Sequence, residues 1–384
     1  MKNAMKKAFS LIELLIGSAI MLVVLAVTLS IYARSNKTSV DQHQFADLQN
    51  NVRAGMYFIA KDVRSAGAGF LQEIAGYFLE GTDTASSGDA EADCIRVMGN
   101  YDDPLLLRIE DYSGGAGGGS ATAFLYDYSL ENSAYDCPDF FEDRVYLIIS
   151  TRCPGCYAVR YIADNQVFGC GTGANHVNFS PGRSDLNPPG GLIDTGCAVE
   201  CWIDAIITLG QIKLYWLDTT GNLSSFKEFS LTPGQDGYVG QPGILYISTT
   251  FQQGTLTHIP IARNIENLQF QYNGDMDNDN ILDGFQDWDN DNWTIQDTDN
   301  EADRDAKRDR IARIRQVKIW VQGRTERPYV SVSGTPPAGV NIYQRPTLAN
   351  SDGSSTVDRH RRFVLETTSN IRNLSLSLYN IGTR

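Results

Sequence analysis

The densest concentration of chemically capable side chains lies at residues 275–309, DMDNDNILDGFQDWDNDNWTIQDTDNEADRDAKRD. It holds thirteen acidic residues: Asp275, Asp277, Asp279, Asp283, Asp287, Asp289, Asp291, Asp297, Asp299, Glu301, Asp303, Asp305 and Asp309. A D-x-D-x-D spacing occurs at 275–279 and 287–291, and with Glu in the last place at 297–301. Carboxylates at that spacing fall on one side of a turn. Ca²⁺ takes about 6–8 hard oxygen ligands at ~2.3–2.6 Å, which this density can supply; Mg²⁺ demands tighter octahedral geometry. Asp275, Asp277, Asp279, Asp283, Asp287, Asp289 and Asp291 are the candidate ligands. The competing explanation is a solvated acidic loop, in which so many like charges repel one another without a counterion.

The second set is seven cysteines: Cys94, Cys137, Cys153, Cys156, Cys170, Cys197 and Cys201. Disulfides form in oxidising compartments. An odd count leaves one thiol over, and connectivity cannot be read from spacing. Cys153-Pro-Gly-Cys156 with Cys197-x₃-Cys201 is also compatible with a four-thiolate zinc site. Thioredoxin-like redox chemistry needs its C-x-x-C at a strand-to-helix turn within a βαβ unit, and strand-like runs flank this one. A c-type haem needs His after the second cysteine, where Tyr157 stands.

Other chemistries are poorly supplied. The four histidines (His43, His176, His258 and His360) are scattered, and no H-E-x-x-H, Walker A or G-x-S-x-G pattern occurs. No nucleophile–base pair is evident, so the chain is expected not to be an enzyme. A net charge of −14 opposes nonspecific nucleic-acid binding, which needs a basic footprint.

These residues need a scaffold, and the N-terminus supplies its start. Residues 1–8, MKNAMKKA, carry three lysines and no acid. Residues 9–32, FSLIELLIGSAIMLVVLAVTLSIY, carry a single charge, Glu13. A helix of that length spans a bilayer core of about 30 Å. It is longer than a signal-peptide core and lacks an A-x-A-like end. Lysines before the span predict an N-in orientation with the rest outside the cytoplasm. Glu13 is costly in lipid, which suits either an interfacial position or a wait for a cationic partner. Beyond the span, Phe45, Leu48, Val52, Met56, Ile59 and Val63 recur at spacings of three and four, one apolar stripe on an amphipathic helix. No proline interrupts 9–66, and Gly67 and Gly69 give a stop signal. The expectation is one long helix of roughly 58 residues, about 87 Å; its rival is two helices broken near Ser35-Asn36.

Past Gly69 the pattern becomes short β runs bounded by Gly, Pro, Asn and Asp: 123–130, 144–150, 157–162, 205–210, 212–218, 243–248, 266–273, 314–323 and 371–380. Asp218-Thr-Thr-Gly-Asn222 reads as a hairpin loop and 113–120 as a flexible glycine loop. The expected class is α+β, a long helix followed by mainly antiparallel sheet. The divisions are 1–8, the membrane half of the helix at 9–32, its amphipathic half at 33–66, and a β-rich head at 67–384.

Several of these features carry resemblances. The Asp-rich segment resembles the calcium loops of dockerin and thrombospondin type 3 repeats, with Asp283 at the ninth position of an EF-like loop; Asn280 and Asn292 stand where those loops have Gly, and Gln286 or Thr298 where they have an acid. The segment Lys6-Lys-Ala-Phe-Ser-Leu-Ile-Glu13 resembles the class III signal of type IV pilins and pseudopilins. The resemblance implies a prepilin peptidase that cuts between Ala8 and Phe9 and methylates the new amine, although the family normally has Gly where Ala8 stands. It also implies that Glu13, fifth in the mature chain, pairs with a neighbouring subunit's terminal amine and sets its register. Leu48, Gln49, Asn51, Arg53, Asp62, Arg64, Ala66 and Gly67 resemble a run found in PilW-type minor pilins, with Gly55 where Ala is frequent. Ile265–Asn273, Ile314–Glu326, Arg361-Arg362, Thr367-Thr368 and Arg372-Asn373 follow in that family's order.

The resemblance implies a minor pilin acting at the filament tip or in initiation. Its partners would be other pilins, prepilin peptidase, the inner-membrane assembly machinery and, before assembly, membrane lipid. It would begin as a single-pass inner-membrane protein and end in the pilus at the cell surface. A calcium-dependent tip adhesin and a minor pseudopilin of type II secretion are the alternatives.

Overall fold

The computed structural model describes residues 11–68, 76, 78–83, 92–99, 106–113, 121–126, 144–150, 152–153, 157–162, 167–168, 176–179, 192, 197–219, 242–250, 256–279, 281–294, 301–328, 344–351, 353 and 358–371. Its first element is one helix, α1 (Leu11–Arg64), unbroken through Ser35-Asn36. No proline or glycine pair is present there to break the i→i−4 ladder. From Leu11 to Asn36 every described side chain is exposed, whereas Leu48, Val52, Met56, Ile59 and Val63 are buried. The apolar stripe is therefore the docked face. Gly67, at φ +74°, ends the helix in the left-handed conformation, and its N–H bonds to the Met98 carbonyl at 2.8 Å.

The head is an antiparallel sheet. Its strands are β1 (Leu79–Thr82), β2 (Cys94–Gly99), β3 (Leu106–Ser113), β4 (Ala121–Leu125), β5 (Arg144–Ile149), β6 (Tyr157–Ile162), β7 (Val167–Phe168), β8 (His176–Phe179), β9 (Ile206–Asp218), β10 (Gly243–Thr250), β11 (Leu256–Gly274), β12 (Ile314–Arg324) and β13 (Arg362–Asn370). The main path runs β13-β12-β11-β10-β9-β3-β4-β8-β7, with β1–β2 and β5–β6 also joined to it through β9. This is the expected α+β architecture: a long apolar helix packed on a large antiparallel sheet.

Strand β9 replaces two expected strands. Gly210-Gln211 reads as a break in the sequence, but the ladder continues through it. Residues 206–210 pair with β5, and 206–208 also pair with β3. Residues 211–215 pair with β2, and 213–218 with β10. One strand thus joins two cores. The larger core lies between α1 and β2, β9–β12; the smaller holds Leu107, Ile109, Tyr146, Ile148, Trp202 and Ile207.

Two glycines set how closely the helix approaches. A Cβ on Gly323 would lie 2.6 Å from Leu48 Cδ1 and 2.9 Å from the Asn264 carbonyl oxygen; one on Gly55 would lie 2.7 Å from Leu245 Cδ2. Strands β1, β2, β3, β7, β8 and β13 were not expected. The run at 371–380 lies outside the described residues beyond Ile371, as do most of the glycine loop at 113–120 and residues 220–222 of the proposed hairpin loop.

Candidate functional site

Three constellations stand out. The first joins helix to head. Asp62, only 4% exposed, points from α1 into the sheet. It accepts a hydrogen bond from the Tyr215 hydroxyl, and Lys213 Nζ sits 3.0 Å from its Oδ1. The Tyr215 hydroxyl also lies 3.2 Å from the Phe58 carbonyl oxygen. A buried carboxylate is tolerable only with such partners. At the other end of the docked region, Phe45 meets Phe363 edge-on at 6.3 Å, and the Arg361 guanidinium stacks 4.0 Å from the Phe45 ring centroid.

Beside that contact lies a buried charge cluster. Glu266 is fully buried; Arg362 donates from Nε to its Oε2 at 2.8 Å and from Nη2 to its Oε1 at 2.9 Å. Gln322 Nε2 adds a third bond at 2.7 Å. Arg362 also donates to both oxygens of Asp358. Burial pulls the Arg362 guanidinium toward neutrality, but its bonds to Asp358 and Glu266 outweigh this and raise its pKa. Burial opposes the ionised Asp358 too, yet hydrogen bonds from Arg362 and the His360 N–H hold its pKa below the ordinary carboxylate value. In sequence, Arg361-Arg362 carried meaning only through family resemblance; the structure makes one a stacking residue and the other a tie across β11, β12 and β13.

The second constellation is the Asp-rich segment, which divides in two. In the first half, Asp275, Asp277 and Asp283 have carboxylate oxygens within 4.8 Å of one another. The backbone folds around them: Met276 N donates to Asp283 at 2.6 Å, and Asp279 N donates to Asp275 at 2.9 Å. Asp279 itself accepts from Ile281 N at 2.7 Å. Asn278 takes the left-handed conformation, φ 66°, that lets the chain turn there. Desolvation, followed by the charges of Asp279, Asp283 and Asp275, raises the Asp277 pKa. Three converging carboxylates with one held above its ordinary value suit a hard divalent cation, which would relieve the repulsion.

The second half is organised by protein groups. Asp287 accepts from Gln271 Nε2 at 2.9 Å. Asp289 accepts from Asn292 N and Nδ2 and from Asp291 N. Trp288 and Trp293 pack edge-on to each other and to Tyr272. Lys307 donates to the Thr294 carbonyl, and Arg310 to Asn292. The two cations come from α2 (Glu301–Ile311), a helix in a stretch expected to be loop. Of the seven candidate ligands, the structure gathers Asp275, Asp277 and Asp283; Asp279, Asp287, Asp289 and Asp291 are not among them. Asp297 and Asp299 lie outside the described residues.

The third constellation is the cysteines. Cys153 and Cys201 form a disulfide that ties the β5–β6 connection to the turn before β9. Cys197 is also disulfide-bonded, and Cys94 on β2 is a thiol. This bridge takes one sulfur from each of the two cysteine pairs that a four-thiolate zinc site would need. Cys137, Cys156 and Cys170 lie outside the described residues, as do Ala8 and Phe9. Glu13 is on the exposed first turn of α1.

One contact was missed altogether. Ser248 and His258 face each other in the β10–β11 ladder, with Oγ 2.6 Å from Nδ1. Trp216 Nε1 donates to the same Oγ at 2.7 Å. Such a cross-strand pair is found only when the register is known. The hydroxyl is fully buried, so it ties β9, β10 and β11 together. Compared with protein-family models, with curated proteins and with solved structures, the chain matches none.

Proposed function

We propose that this chain is a PilW-type minor pilin that takes part in type IV pilus assembly at the filament tip or in initiation. The observation that carries the proposal is α1: one unbroken helix whose first part is apolar and wholly exposed, and whose second part is docked on an antiparallel head. A helix long and apolar enough to cross a membrane, rigidly joined to a large head, suits a subunit stored in a bilayer and then packed by its helix into a filament. After cleavage between Ala8 and Phe9, Glu13 would pair with a neighbouring subunit's terminal amine. Each group would thereby relieve the other's desolvation.

Asp62 supports the same assignment. It belongs to the run resembling PilW-type proteins, and its buried bonds to Tyr215 and Lys213 give that position a physical role, which is to hold helix and head at a fixed angle. Deleting the gene and imaging the cells tests the proposal. Loss of pili supports it; normal pili with lost secretion of exported proteins would instead indicate a pseudopilin.

A second, compatible activity is Ca²⁺ binding by Asp275, Asp277 and Asp283, favoured by the convergence of their oxygens. Bound calcium would supply charge neutralisation and fix the loop before Gly284. Normal piliation with calcium-dependent loss of surface attachment would make the head an adhesin. Calorimetric titration of the purified protein with Ca²⁺ tests this; absence of binding in the millimolar range overturns it.

A further inference from the structure

The solvent-facing side of α1 at its docked end carries Arg53, Tyr57, Phe58, Lys61 and Arg64, all exposed. Tyr57 and Phe58 are 63% and 40% exposed and meet edge-on at 5.6 Å. Met56, Tyr57, Ala60, Lys61, Arg64 and Thr367 line a groove of about 590 Å³ between helix and β13. No acid among the described residues pairs with Lys61 or Arg64. A cationic, aromatic groove is conspicuous on a chain with net charge −14.

An anionic membrane surface is a poor occupant. Lys61 stands twenty-nine residues beyond Tyr32, roughly 44 Å along a helix, against a screening length of about 8 Å in physiological salt. The matching surface is on the head itself. The loop after β11 exposes Asp277, Asp279 and Asp283 together with Ile281, Leu282 and Phe285, which are 65%, 44% and 38% exposed. Each surface mixes charge with apolar area, and their charges are opposite.

We infer that the α1–β13 groove of one copy receives the 277–285 loop of a second copy, its carboxylates on Lys61 and Arg64 and its apolar side chains on Tyr57. The contact is head-to-tail, so a pair of copies leaves one groove and one loop free. It needs neither Glu13 nor the pilus assignment, and Ca²⁺ on Asp275, Asp277 and Asp283 would compete with it by neutralising the loop.

The test uses the full chain in lipid vesicles, with equal amounts of unlabelled and ¹⁵N-labelled protein. A carbodiimide, which joins an ammonium to a carboxylate in contact, is added and linked peptides are mapped. Mixed-isotope links from Lys61 to Asp277, Asp279 or Asp283 are expected. The Arg64→Glu chain, which keeps the Lys61 amine that the reagent needs, should lose about tenfold in yield, since like charges would then face each other. Mixing the Lys61→Glu, Arg64→Glu chain with an Asp279→Lys chain should restore mixed links between the same two segments, now with the ammonium on the loop and the carboxylate on the helix. All three positions are exposed, and an unchanged circular dichroism melt of each variant verifies folding. Absence of mixed links, links mapping elsewhere, or yields indifferent to charge reversal with folding intact would overturn the inference.

Discussion

Arg362 shows how much a single side chain organises. It is the bidentate partner of fully buried Glu266 and the partner of Asp358. Removing one member of a buried pair strands the other. Arg362→Ala should therefore cost about 3–5 kcal/mol, measured as a lower denaturation midpoint at unchanged slope. Asp358 adds a pH dependence with a definite sign. Its folded pKa is depressed, so its contribution is fully present above the unfolded value of about 4 and is lost as pH falls through the folded value below that. Acid titration of stability should show a step that Asp358→Asn removes. The Asp-rich segment carries its own prediction at this scale. Chelation should raise proteolysis and hydrogen exchange at 275–283, while 287–294 stays protected by Lys307, Arg310 and the tryptophans. Equal loosening of both halves would contradict the division between them.

At the scale of elements, α1 was legible because its signals agree: a lysine-led apolar run, a stripe at spacings of three and four, no proline, and Gly67 at the end. The strands at 144–149, 157–162, 243–250 and 314–324 were legible from β-branched and aromatic runs. Strand β13, RFVLETTSN, was not, since its apolar run is only Phe363-Val364-Leu365 and the polar half that follows alternates into solvent at the sheet edge. Helix α2 was hidden by its acids; its Ala, Lys and Arg content favours helix, but it has almost no apolar face to reveal the period. The triad at Asp275, Asp277 and Asp283 was partly legible from spacing. Its separation from Asp287 onward was not, because the aromatic packing and α2 that hold the second half are tertiary. The helix–sheet contact makes a further prediction. Gly323→Ala forces a Cβ against Leu48, Val52 and the Asn264 carbonyl, so it should cost about 1–3 kcal/mol in thermal or denaturant unfolding. An unchanged midpoint would contradict this close seating of helix on sheet.

At the scale of the whole molecule, the two ends of α1 have opposite needs. The head end is fixed by Asp62, Gly323, Leu48 and Val52, so movement of the helix is transmitted to the sheet. The other end is exposed and is long and apolar enough to cross a membrane. Glu13 lies in that uncovered part, so its worth depends on which environment covers it. In lipid the carboxylate is a cost, and its replacement should leave membrane insertion intact or improve it. In a filament it would meet a neighbouring subunit's terminal amine, and its replacement should weaken assembly. The most direct measurement compares wild type with Glu13→Gln in the same cells, quantifying the protein in membranes and in sheared, purified pili. Equal membrane levels with a several-fold lower pilus fraction are the predicted result; equal incorporation of the variant into pili would contradict the account.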